Sequence, residues 1–171
     1  MKAEDLREII ERVEGSAAFA TFSSTATTHR LVHVFATKGD AKLVEVGYYD
    51  PVADAITVFT DAVPVSASEA QDVFRGDEQK GKEELLGLAR DEIEVGILAV
   101  REKLKAFIDE KHPAHPIAQE ILILQSRDGI PTWGATLLTH TLHVILVRVD
   151  ARDGKILSSE LRNILELRAP E

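Results

Sequence analysis

Cysteine is absent from the 171 residues, which removes disulfides, thiolate metal sites, iron-sulfur clusters and cysteine nucleophiles together. Long apolar runs are absent too. No stretch approaches the roughly 18 consecutive apolar residues of a membrane-spanning helix, and the N-terminal stretch MKAEDLREIIERVEG lacks the apolar segment of a secretory signal. A soluble, cytoplasmic chain that does not engage a membrane is expected. Basic residues are the minority, with 20 Lys and Arg against 29 Asp and Glu and a net charge of -9. That balance argues against nucleic acid as a partner, because such affinity rests on neutralising phosphates. The ten glycines stand singly, so there is no glycine-rich phosphate loop.

What is present is apolar substance, 44% of the chain, enough for a packed core. Leu6, Ile9, Ile10 and Val13 recur at helical spacing behind an acidic first turn, and Gly15 ends that helix. Runs of β-formers at 17–23, 31–37 and 43–49, with a shorter one at 56–59, read as an antiparallel meander. Ser66 and Glu69 form a capping box, which predicts a short helix to Arg75. Residues 76–81, GDEQKG, form a linker. From 82 to 110 no proline intervenes and Leu86, Ala89, Ile93, Ile97, Val100, Leu104 and Phe107 repeat every three or four positions, predicting one long amphipathic helix. Pro113 and Pro116 stop it. Strands are predicted again at 117–126, 132–138 and 141–150, with Asp128-Gly129 as a hairpin turn. After Asp153-Gly154, Ser158 or Ser159 is placed to cap a closing helix carrying Leu161, Ile164, Leu165 and Leu167.

The two halves share an order of helix, meander and closing element. The fold expected is therefore α+β, two antiparallel β-meander units with packing helices. The first unit, 1–76, is aromatic-rich and the second, 77–171, is aliphatic; an internal duplication is the simplest source of the shared order.

The segment VDARDGKIL, residues 149–157, resembles the closing signature of PepSY-like domains, where a strand ending V-D-A leads into a glycine turn and a short apolar return. Residues 82–148 fit the element order that precedes it. The first half shows YYDPVADAITVF where the family has its glycine turn, so there only the order of elements carries the resemblance. The resemblance implies a domain of a kind commonly exported and associated with peptidase inhibition or with binding at cell envelopes. It brings no catalytic residues, and so favours a binding module over an enzyme.

Read residue by residue, the chain offers little catalytic chemistry. His29 and His33 on one strand would stand about 13 Å apart, too far to share an ion. His112 and His115 in the proline-bounded loop are better placed, yet a third ligand is lacking, and His140 and His143 face apart along a strand; no metal and no cofactor are expected. The Ser/Thr-rich stretch at 23–29 matches no nucleophile elbow. Seven of the nine aromatics lie in the first half, so a cystatin-like or NTF2-like pocket there would be lined by Phe19, Phe35, Tyr48 and Tyr49. The two tyrosines fall on opposite faces by alternation. In the second half, Ile121 to Leu124 and Val144 to Val147 are apolar on both faces and call for cover on both sides, which points to a homodimer.

The expected function is a non-enzymatic binding or regulatory protein that holds a peptide or small apolar ligand against its sheet. The alternative is an enzyme of cystatin-like or NTF2-like architecture using Tyr48 or Tyr49 with His33 as acid and base.

Overall fold

A computed structural model describes residues 3–39, 42–73 and 85–166. Among these, three helices pack on one nine-stranded antiparallel sheet, an α+β arrangement. Helix α1 (Glu4–Glu14) buries Leu6, Ile9, Ile10 and Val13, the stripe that its 3.6-residue period sets out. Helix α2 (Ala17–Thr25) follows directly, its first turn capped by Ser16 Oγ, which accepts a hydrogen bond from the Phe19 N–H at 3.2 Å. The strands are β1 (Arg30–Lys38), β2 (Leu43–Asp50), β3 (Ala55–Thr60), the two-residue pieces β4 (Ser66–Ala67) and β5 (Gln71–Asp72), then, after helix α3 (Ile97–Lys111), β6 (Ile117–Arg127), β7 (Ile130–Thr139), β8 (His143–Asp150) and β9 (Ile156–Asn163).

The sheet order is β4-β3-β2-β1-β6-β7-β8-β9, with β5 also on β3. Each half is a meander, and their first strands pair antiparallel at the centre, with Val34 opposite Leu124 and Phe35 opposite Ile123. The halves therefore share one sheet. The strands of the first half thus extend the sheet of the second sideways and do not lie across its face. The boundary between residues 76 and 77, and the 76–81 linker, lie outside the described residues.

Four local expectations are corrected. Residues 17–23 alternate like a strand but are helical, because Ser16 supplies the cap and Phe19 and Phe22 then point together into the core. The helix expected from Ser66 is instead the pair of strand fragments β4 and β5 on β3. The helix expected from 82 begins only at Ile97; before it, residues 85–96 run largely extended apart from a single 3-10 turn, Arg90–Glu92. This stretch is pinned to the sheet: Glu94 and Val95 donate to Ala151 O at 2.9 and 3.0 Å, and the buried Trp133 indole N–H donates to Val95 O at 2.8 Å. The closing helix expected from Ser158 or Ser159 is strand β9, captured by the open edge of β8.

Helix α3 starts where it does because of a contact from α1. Asp5 Oδ2 accepts the Leu98 N–H at 2.9 Å, capping the first turn of α3, and a Cβ at Gly96 would fall 1.9 Å from Asp5 Oδ1. Only glycine lets that carboxylate approach. On the covered face, α1, α2, α3 and the 85–96 segment bury Val34, Tyr48, Phe59, Leu124, Trp133 and Val147, among others. A salt bridge from Arg101 to the buried Glu120 at 2.6 Å ties α3 to β6.

Candidate binding surface

The other face of the sheet carries no described helix. Strand alternation sends His33, Phe35, Ile121, Ile123, Thr136, Leu146 and Arg148 to that side, while their neighbours in sequence enter the core. One cross-strand row reads Phe35, Ile123, Gly134, Arg148, Ser158. Gly134 leaves a gap in that row. A Cβ there would meet only Ile123 O at 3.8 Å, so the space is open and not a slot already filled by a neighbour.

Over this gap lies a groove of about 440 Å³, floored by Ile123 and Leu146 and rimmed by Gln125, Arg127, Arg148, Ser158 and Glu160. Arg127 and Arg148 are both exposed and have no ion-pair partner among the described residues. Glu160 is held by Arg162 at 2.7 Å. The rim therefore offers two available guanidinium groups beside an apolar floor, a combination suited to an elongated ligand bearing a carboxylate. A larger cleft of about 760 Å³ lies between α3 and the start of β6. Of the seven charged side chains that line it, four are paired, Arg101 with Glu120 and Lys105 with Asp109.

The four aromatics named as candidate pocket residues divide two and two, with the tyrosines on opposite faces as strand alternation expects. Phe19 and Tyr48 are on the covered face, where they join Phe22, His29 and Phe59 in a filled cluster with ring centroids 4.9 to 6.2 Å apart. Phe35 lies on the other face, half-buried. Tyr49 also turns to that side, fully buried, with its hydroxyl donating to Asp54 Oδ1 at 2.5 Å and the Arg30 guanidinium 5.7 Å from its ring. The Tyr48 hydroxyl donates to Glu14 Oε1 at 2.9 Å, and Arg90 reaches the same carboxylate at 2.5 Å. Burial, helped by that carboxylate, pushes the Tyr48 phenol well above its usual range.

The histidine that meets Tyr48 is His29, not His33. The sheet separates Tyr48 from His33, whose ring stands over Gly47 on the opposite side: a Cβ at Gly47 would fall 2.1 Å from His33 Cε1. Burial lowers the His33 pKa from its ordinary value. His112, His115 and His143 gather at one corner, with ring centroids 6.4 and 4.4 Å apart along that series. The Nδ1 atoms of His115 and His143 are taken by Thr141, through Oγ1 at 2.6 Å and the carbonyl at 2.8 Å. No group of three or more His, Asp or Glu among the described residues could hold a metal ion.

Gly134 and Arg148 were not singled out by sequence reasoning, and Ile123 entered it only within the doubly apolar run 121–124. One signal was available: Arg148 is the lone cation inside the apolar run VILVRVD, and such a residue marks the side of a strand that meets water.

The segment at 149–157 ends β8, turns, and begins β9, and the turn has several ties. Asp150 accepts from the Arg152 backbone N–H at 2.8 Å and pairs with its guanidinium, which draws the buried carboxyl below its ordinary pKa, while Ala151 N–H reaches Pro131 O at 2.9 Å. No helix among the described residues is long and apolar enough to cross a membrane. No family model matches the chain, and no curated protein matches it in sequence. In fold, it is similar to the crystal structure of a putative lipoprotein from Clostridium difficile 630, with a TM-score of 0.52 and 12% identity over 85% of this chain and 90% of that one. At that identity the likeness is one of fold.

Proposed function

We propose that this protein is a non-enzymatic binding module that holds an extended peptide or a small apolar molecule against the uncovered face of its sheet. The observation that carries the reading is the groove over Gly134, with its apolar floor and the available Arg127 and Arg148 on its rim. A carboxylate on the ligand would pair with one or both guanidinium groups, and its apolar body would lie on Ile123 and Leu146. Two placements speak for this reading over the acid-base enzyme: Tyr48 and His33 lie on opposite faces, and Tyr49, which shares the face of His33, is fully buried with its hydroxyl bonded to Asp54, whereas a general acid and base must reach one substrate.

The PepSY-like and tandem readings belong to the same proposal. Their support is the tied turn at 149–157, the helix that precedes the first strand of each half, and the antiparallel pairing of β1 with β6, which would relate two copies of one unit by an approximate two-fold normal to the sheet. Cytoplasmic location is likewise proposed, and fractionation of source cells against an envelope marker tests it.

Dodecanoate is a suitable probe, being an alkyl chain with one carboxylate. In NMR titration we expect amide shifts at Gly134, Arg148 and Ser158, and Arg148→Ala should weaken binding roughly tenfold. Gly134→Ile should abolish it by filling the groove. Shifts centred on Phe19 and Tyr48, or none at all, would remove the support for this site.

A further inference from the structure

The two edges of the sheet are finished differently. At the first edge β4 and β5 are two residues each, interrupted and preceded by Pro64, the kind of broken edge that resists further pairing. At the other edge β9 runs for eight residues, ILSSELRN, without proline, glycine or lysine, and residues 157–162 are exposed along it. Nothing among the described residues pairs with its outer side.

The backbone geometry of that edge can be followed residue by residue. Ile164 N–H bonds Leu142 O at 3.0 Å, and the same register places Arg162 opposite Val144, Glu160 opposite Leu146 and Ser158 opposite Arg148. In an antiparallel ladder, residues that exchange hydrogen bonds with one neighbour alternate with residues that face the other way. The N–H and C=O groups of Ser159, Leu161 and Asn163 therefore point outward.

We infer that β9 is a self-recognition edge, and that its partner is β9 of a second copy of this chain, paired antiparallel about a two-fold axis through Leu161. In that register Leu161 meets its own counterpart, Ser159 meets Asn163, and the outward groups form about six hydrogen bonds. Glu160 falls opposite Arg162 of the second copy, so two acids and two bases alternate in a square. Shifting the axis to Glu160 or to Arg162 would set like charges against each other, and shifting it to Ser159 would leave both charges without opposites. The apolar side chain at the centre of the strand follows the same rule: Leu161 is 39% exposed, and this register sets it opposite its own counterpart. Charge and apolar patterns thus select the same axis. The two grooves, each walled on one side by Ser158 and Glu160 of β9, would then flank the axis on a common sheet face.

Light scattering of the full chain at micromolar concentration tests this without any ligand. The expected mass is twice 18.8 kDa. Glu160→Arg or Arg162→Glu alone should raise the dissociation constant by about tenfold or more, and the double charge swap should restore the dimer. All three variants change exposed side chains, and circular dichroism confirms that each is folded. Because the chain contains no cysteine, Leu161→Cys should crosslink to its counterpart on oxidation, across a hydrogen-bonded pair whose Cα separation of about 5.5 Å suits a disulfide. Ser159→Cys, two residues off the axis, should crosslink poorly. A monomeric wild type, a double swap that fails to restore association, or equal crosslinking of the two cysteine variants would each overturn the inference.

Discussion

On one face of the sheet Phe59, Tyr48, Leu124 and Trp133 are removed from water under three helices; on the other, Phe35, Ile123 and Leu146 remain half-buried between Arg148, Thr136 and His33. The same strands supply both sets. On the covered face the aromatic cluster is filled ring on ring, and the larger cleft lies apart from it, between α3 and the start of β6. The other face is mixed in chemistry and retains a groove. Aromatic content alone is thus a poor guide to a binding site, because rings are also the most effective way to fill a core. The more telling combination is an apolar floor, a missing side chain and unengaged charge in one row.

That contrast predicts a graded series. Phe59→Ala, inside the aromatic cluster, should cost about 3–5 kcal/mol in urea unfolding, the usual cost of emptying a buried ring site. Gly47→Ala tests a tightly packed spot on the other face. Its new methyl would collide with the His33 ring, so a loss of about 1–3 kcal/mol is expected, together with displacement of that ring detectable by NMR. The pH dependence of stability comes next. Burial favours neutral His33, so its folded pKa lies below its unfolded value; the unfolded chain binds the proton first, and stability is lost as pH falls below about 6.5. His33→Gln should flatten that part of the melting-temperature profile. Phe35→Ala should change stability least, by less than about 1 kcal/mol, because its ring is only partly out of water. A large loss at Phe35 would mean that packing on the uncovered face contributes to stability as strongly as packing on the covered one.

Much of the framework was legible in the sequence. The stripe Leu6, Ile9, Ile10, Val13 marks α1, and the β-branched runs and the Asp128-Gly129 turn mark most of the long strands, because period and turn chemistry act over a few residues. Residues 17–25 were legible in part, since Ser16 is a good cap, but the alternation that follows it resembles a strand. The candidate groove was barely legible. It depends on Ile123, Gly134, Arg148 and Ser158 meeting across four strands, and of these only Arg148 stands out in its own segment.

Three features rest on tertiary structure alone. Residues 85–96 have helical periodicity but run mostly extended, because Ile93 and Val95 reach the core while Ala151 and Trp133 take up the backbone at 94–95. Residues 156–163 hold a cap-like serine pair but form a strand, because the edge of β8 offers a ladder of hydrogen bonds that a short isolated helix cannot match. The pairing of β1 with β6, which makes two meanders one sheet, joins strands more than eighty residues apart in sequence. By itself the sequence determined which short segments could be helix or strand and which side of each strand could be buried, since those properties depend on neighbours in the chain. It left open where the segments would meet, because register between distant strands and the burial of a marginal helix are decided by the free energy of the whole core.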